Sequence, residues 1–224
     1  ALGLRVPVII SIRNNPEPFY SGRTDKFQIR WLFPHAAGCV YQTAEQREFF
    51  KPYLQENSRV IMNPVNRKYI ELPDPDYEHQ ERCVVQSSRL VDFKNQEMLL
   101  RAFAKVHAVH PDWSLKIYGP DSEDGTKEKL EEIIRANRAK DWMQLMGGTD
   151  RLEELIPKAA IYALPSNYEG MPNALMEAMA MGMPCISTDC PAGAPRVLIQ
   201  DGVNGLLIPV GDEAAISSSR SIMA

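Results

Sequence analysis

Residues 83–119, CVVQSSRLVDFKNQEMLLRAFAKVHAVHPDWSLKIYG, decide the fold. The apolar run 83–87 is strand-sized. It is followed by a polar loop and then by Leu99, Leu100, Phe103 and Val106, spaced to share one face of a helix over 95–108. The run 114–119 is strand-like again and stops at Gly119. A strand, a helix and a second strand over this length read as a parallel βαβ unit. The pattern continues with a helix over 127–139, a strand over 143–147, a helix over 151–159 and a strand over 161–166. After these come a helix around Glu177, a strand over 184–188, a short helix at 195–200, a turn into a strand at 201–209, and the start of a helix at 211–222. This alternation predicts the α/β class with an open, doubly wound parallel sheet. Ligands of such sheets sit outside the carboxyl ends of the strands, which directs attention to the loops 87–95, 118–126, 147–151 and 165–173.

Upstream, the sequence gives a strand at 6–11, GCVYQT as a strand leading into the helix AEQREFFKPYL, and RVIMNPV as a further strand. These predict part of a second α/β domain over 1–68. The polar, proline-bearing run 69–81 reads as a linker, and 82–224 is the main domain. With 44% hydrophobic residues, 24% charged residues and a net charge of −4, the composition is that of a globular protein and does not point to nucleic acid. No apolar run is long enough to cross a bilayer. Cys39, Cys83, Cys185 and Cys190 are scattered and lack a second Cys/His pair at zinc spacing, so they are expected to be reduced and buried, with no metal site. This usage points to the cytoplasm.

The loop before one helix carries the densest chemistry: NYEGMPNALMEAMAMG, residues 167–182. Pro172 suits the first position of a helix. Glu169 then lies at the helix mouth and Glu177 in the second turn. Free N–H groups from Met171 to Leu175, with Gly170 allowing close approach, form an anion site of the helix-terminus type. In the loop 87–95, Arg89 and Lys94 offer a guanidinium fork and a compact ammonium suited to a diphosphate. Glu177 can accept both hydroxyls of a ribose, and Glu169 those of a sugar beyond the phosphates. That is the order in which a nucleotide sugar presents its parts.

SRLVDFKNQEMLLRAFAKV, LPSNYEGMPNALMEAMAMGMPCISTD and DGVNGLLIPVGD together resemble the carboxyl-terminal, donor-binding half of a GT-B glycosyltransferase of family four, over about residues 80–212. The resemblance implies a Rossmann-like domain and a retaining, metal-independent glycosyltransferase that uses no cofactor. Its partners would be a nucleotide sugar, most commonly a UDP-sugar, and a glycan or lipid-linked acceptor. It also implies that Arg89 and Lys94 bind the diphosphate, Glu177 the ribose and Glu169 the transferred sugar, with Glu169 sharing in catalysis. Gly170, Met171, Pro172, Asn173, Ala174 and Leu175 would line the sugar and phosphates. Gly119, Pro120 and Met146 would flank the base through main-chain groups.

The amino-terminal segment resembles only the final third of the family's first domain, without its Gly-rich loop, which suggests a fragment of a longer chain. None of His35, His79, His107 and His110 fits a catalytic place. Asp74 and Asp76 have a metal-binding spacing, but between prolines they read as solvated. The apolar WLFP at 31–34, near Lys26 and Arg30, is either a peripheral contact with the inner membrane surface in the full-length protein or a buried helix face, and the buried face is the expectation. A nucleotide-sugar binding module without catalysis and a GT-B-fold UDP-sugar epimerase are the alternative functions.

Overall fold

The computed structural model describes residues 6–218. The predicted features at 1–5 and 219–224 lie outside them. Three parallel strands, β1 (Ile9–Ser11), β2 (Gly38–Tyr41) and β3 (Ser58–Val60), form a small sheet in sequential order. Between them run the short helices α1 (Pro16–Phe19), α2 (Arg23–Phe27), α3 (Ala44–Phe49) and α4 (Pro52–Gln55). Where the sequence predicts one helix over AEQREFFKPYL, the structure has two. Pro52 drives Lys51 to an extended conformation, with ψ at 151°, and the chain restarts at α4.

Helix α5 (Arg67–Ile70) leads into a six-stranded parallel sheet made of β4 (Glu81–Ser87), β5 (Ser114–Tyr118), β6 (Met143–Gly147), β7 (Ala159–Leu164), β8 (Cys185–Thr188) and β9 (Leu206–Ile208). The crossovers are α6 (Gln96–Val109), α7 (Thr126–Ala136), α8 (Leu152–Leu155), α9 (Asn173–Ala180) and α10 (Ala194–Leu198), and α11 (Glu213–Ser217) closes the described chain. The spatial order is β6-β5-β4-β7-β8-β9. Counted within this sheet it is 3-2-1-4-5-6, the Rossmann order, with its switch point between β4 and β7.

Alternation along the strands sends side chains to two cores. Val84, Ile161, Ala163 and Ile186 face Leu99, Phe103 and Leu130 of α6 and α7. Cys83, Val85, Tyr162, Leu164 and Cys185 face Leu175 and Ala178 of α9 on the opposite side. All four cysteines are buried free thiols, as the sequence leads one to expect. The run 69–81, read as a linker, begins inside α5 and ends at the first residue of β4, and it packs on the main sheet: Tyr69 is buried in its core, Tyr77 Oη donates to Gly182 O at 2.9 Å, and Gln80 Nε2 donates to Pro157 O at 3.1 Å.

WLFP departs from the expected buried face. Phe33 packs on Tyr20 and Phe50, but Trp31 is 56% and Leu32 43% exposed. Trp31 and Leu32 end the wide turn Gln28–Leu32 and stay on the far side from Phe33, which starts the next turn, with the Arg30 guanidinium 5.7 Å from the Trp31 ring.

The two sheets meet through specific polar contacts. Thr43 Oγ1 caps α3 and donates to Ala192 O at 2.6 Å, and Glu45 accepts from Ala192 N and from Arg196 Nη1, each at 3.1 Å. Gln42 Nε2 donates to Asn63 Oδ1 at 2.7 Å, and Asn63 Nδ2 in turn donates to Asn173 Oδ1 at 2.6 Å, at the start of α9. Gly170 packs so closely on the Arg13 carbonyl and Asn14 Cα that a Cβ there would overlap them.

At the end of β5, Gly119 N donates to Gly147 O at 2.8 Å, and a Cβ on Gly119 would overlap the Ser88 carbonyl. Gly119→Ala is expected to destabilise the chain by about 1–3 kcal/mol, the usual cost of overpacking. Denaturant unfolding would measure it, and an unchanged midpoint would contradict this packing account.

Candidate functional site

The site is built at the switch point. Strand β4 ends at Ser87 and β7 at Leu164, and the loops that follow them face each other across one cleft of about 680 Å³. Arg89, Phe93 and Lys94 come from the first loop, and Tyr168, Glu169 and Gly170 from the second. The entry to α9 adds Met171, Pro172, Asn173 and Ala174, and the small sheet adds Arg13, Asn14, Asn15, Pro18 and Phe19. This volume is in the range of small-molecule sites.

The two loops are pinned together. Asn167 N donates to Phe93 O at 2.8 Å, and Asn95 Nδ2 donates to Asn167 Oδ1 at 2.9 Å. Asn95 adopts a left-handed conformation (φ 52°, ψ 37°), which ends the turn Asp92–Lys94 and starts α6 at Gln96. Phe93 and Tyr168 stack at 4.7 Å with their planes 12° apart. Gln96 Nε2 reaches back to Arg89 O at 2.9 Å and fixes the backbone that carries Arg89.

At the centre, Lys94 Nζ donates to Glu169 Oε1 at 2.6 Å, with side chains only 16% and 7% exposed. The same oxygen accepts from Ser166 Oγ at 2.6 Å. Ser166 is fixed in turn by Thr188 Oγ1, which donates to Ser166 O at 2.5 Å. A buried carboxylate requires such partners. Arg89, by contrast, is exposed and its guanidinium has no partner among the described residues.

Pro172, expected at the first helical position, is instead the N-cap, with ψ at 94°, and Asn173 is the first residue of α9. Pro172 O accepts the first helical bond from Met176 N at 3.1 Å. The amides of Asn173, Ala174 and Leu175 therefore precede the first intrahelical bond and form the positive end of the helix dipole.

Of the residues singled out in the sequence, Arg89, Lys94, Glu169, Gly170, Met171, Pro172, Asn173 and Ala174 share this cleft. The Leu175 side chain is turned into the core. Glu177 is half-buried one turn along α9. Burial pushes its carboxyl above the ordinary carboxylate range; Lys68 acts in the opposite sense and Glu153 adds to the rise. Lys68 Nζ itself bonds Glu153 Oε2 at 2.7 Å and Asp150 O at 3.2 Å, and neither Glu177 nor α5 lines the cleft. Gly119 and Pro120 lie beside the first loop, where Leu90 N donates to Pro120 O at 3.0 Å. The Met146 side chain lines a separate depression with Glu131, Arg135 and Lys140.

Arg13, Asn14, Phe19, Ser166 and Tyr168 escaped the sequence reading. The first three belong to the other sheet and reach the cleft only through tertiary folding. Ser166 and Tyr168 stand inside the quoted motif, and their hydroxyl and ring were the available signals.

Asp74 and Asp76 are exposed, and Asp76 pairs with His79 at 2.9 Å, away from the cleft. His107 stacks on Trp142 at 3.8 Å and bonds Trp113 O, and none of the four histidines lines the cleft. Cys190, near Glu169, has its thiol pushed up to about 12 by burial and stays protonated. Among the described residues, no group of three or more His, Cys, Asp or Glu side chains is placed to hold a metal, and no helix is long and apolar enough to cross a membrane.

Comparison with known proteins identifies the family and the fold. Residues 81–220 match the family model described as glycosyl transferases group 1. The GtfA subunit of the UDP-N-acetylglucosamine–peptide N-acetylglucosaminyltransferase of Streptococcus pneumoniae is 32% identical over 163 residues, covering 73% of this chain and 31% of its own length. An uncharacterized glycosyltransferase of Methanocaldococcus jannaschii is 28% identical, covering 85% of this chain and 50% of its own. The chain thus spans 31% to 50% of the length of these relatives. Among solved structures, pneumococcal GtfA in complex with UDP and GlcNAc superposes with a TM-score of 0.76 at 25% identity, over 96% of this chain and 44% of GtfA. Anabaena HepE in complex with UDP and glucose gives 0.82 at 19% identity, over 98% and 61%, and bears on the fold alone. The chain belongs to the glycosyl transferases group 1 family and has the parallel-sheet α/β fold of GT-B glycosyltransferases.

Proposed function

We propose that this chain carries the donor site of a retaining glycosyltransferase of family four, which moves a hexosyl group from a UDP-sugar to a glycan or lipid-linked acceptor. The observation that carries the reading is the buried Lys94–Glu169 pair at the mouth of α9, in one cleft with the unpartnered Arg89. The diphosphate sits on the amides of Asn173 to Leu175, with Arg89 and Lys94 beside it. Glu177, one turn further in, accepts the ribose hydroxyls, and main-chain groups near Gly119, Pro120 and Met146 flank the base. Glu169 holds the transferred sugar.

When the bond from the anomeric carbon to the phosphate oxygen breaks, positive charge develops on the sugar and negative charge on the leaving UDP. The Glu169 carboxylate stabilises the first, and Arg89, Lys94 and the helix end stabilise the second. We assign that neutralisation to these groups rather than to a divalent ion. A similar protein supports the choice of nucleotide, since pneumococcal GtfA was solved with UDP. The exposed Trp31 and Leu32, beside Arg30, leave a surface free for peripheral membrane contact in the full-length protein.

Calorimetric titration with UDP and UDP-glucose in EDTA tests the site. Arg89→Ala is expected to weaken both ligands about tenfold or more, since hydrogen bonds to charged groups contribute roughly 1.5–3 kcal/mol. Glu169→Gln, which releases the Lys94 ammonium from its partner, is expected to tighten UDP binding and to remove any extra affinity for UDP-glucose. Equal binding of both ligands by all three chains would sink the assignment.

Glu177 gives an independent check through pH. A carboxyl that holds its proton more readily when folded than when unfolded costs stability once it ionises. Glu177→Gln should therefore raise the melting temperature at pH 7, and the gain should vanish as pH falls below the ordinary carboxylate range. The same variant should bind UDP more weakly. A substitution that lowers stability at pH 7 and spares binding would refute the role given to Glu177.

A further inference from the structure

Three cations and one carboxylate line the cleft: Arg13, Arg89, Lys94 and Glu169. Lys94 is committed to Glu169 at 2.6 Å, so that pair is neutral. A nucleotide sugar brings two negative charges on its diphosphate. Against them the donor-side loops offer Arg89 at full charge, Lys94 with its charge offset by Glu169, and the partial charge at the end of α9. The balance is completed from the other sheet. Arg13 is exposed, and its guanidinium has no hydrogen bond or ion pair among the described residues.

The Arg13 backbone is nevertheless held tightly. On one side, Ile12 N donates to Val40 O at 2.8 Å and continues the β1–β2 ladder. On the other, Gln46 Nε2 donates to Asn14 O at 3.3 Å, and Asn15 Oδ1 accepts from Glu17 N at 3.2 Å, which starts α1. The Arg13 carbonyl rests on Gly170, two residues before the N-cap of α9. A rigid backbone thus carries a free guanidinium to the rim of the anion site. A structural arginine would spend its donors within the protein; this one keeps them available.

We propose that Arg13 is a phosphate-binding residue that reaches from the small sheet to the diphosphate of the donor, so that the anion is gripped from both sides of the cleft. The inference rests on the donor site described above and adds a residue that the donor half alone lacks. It makes nucleotide binding depend on the contact between the two sheets: with Arg13 withdrawn, the site is one charge short. The Gln42–Asn63–Asn173 relay and the Thr43–Ala192 bond keep that contact in register.

The test is titration of the described chain with UDP, UDP-glucose and uridine at low and moderate salt. Arg13→Ala removes an exposed side chain without partners, so the fold should be kept, and thermal unfolding of the variant checks this. The expected result is UDP and UDP-glucose binding about tenfold weaker, a shallower salt dependence, unchanged uridine binding and partial recovery in Arg13→Lys. UDP binding by Arg13→Ala equal to that of the parent overturns the inference and leaves the donor site standing. Absence of UDP binding by the parent chain overturns the donor site, and the inference with it.

Discussion

The ion pair between Lys94 and Glu169 is the contact on which the site depends. It joins the loop after β4 to the loop after β7 across the switch point of the sheet, with both side chains largely removed from water. Such a pair is seldom retained for stability, because desolvation offsets much of the attraction and well-packed apolar residues often serve as well. Here it fixes two loops relative to each other and holds a carboxylate and an ammonium at the mouth of a helix. Ser166 and Thr188 extend the anchorage into the strands, so the geometry of Glu169 derives from buried backbone rather than from a mobile loop.

Around that pair the fold divides the work. The order of the main sheet opens a crevice between β4 and β7, and the crossover helix α9 aims its free amides into it. Helix α5 brings Lys68 and Tyr69 onto the second turn of α9, where Glu177 sits in partly desolvated surroundings. The small sheet closes the remaining side, with the Arg13 carbonyl seated on Gly170. A glycine is needed at 170 because another backbone occupies the space of its Cβ, and this ties the most motif-like segment of the chain to a segment some 150 residues earlier.

Much of this was legible in the sequence because its signals are local. The periods of 83–87 and 95–108 gave the first βαβ unit, and the E-x7-E segment placed Glu169 and Glu177 relative to one helix. Eight of the residues picked from those loops meet in one cleft. What was not legible depends on distant contacts. The break at Lys51 and the shift of the α9 start by one residue are decided by proline geometry that periodicity does not resolve. Phe33 could be recognised as apolar, but not as the member of WLFP that turns inward while Trp31 stays out. Arg13 carries no motif, and only the fold brings it within the same cleft as Arg89.

The most direct measurement is a crystal structure of the chain with UDP bound. The account predicts diphosphate oxygens within hydrogen-bond distance of the α9 amides and the Arg89 guanidinium, with the ribose hydroxyls on Glu177. Nucleotide bound away from these groups, or a cleft empty at saturating nucleotide, would contradict it.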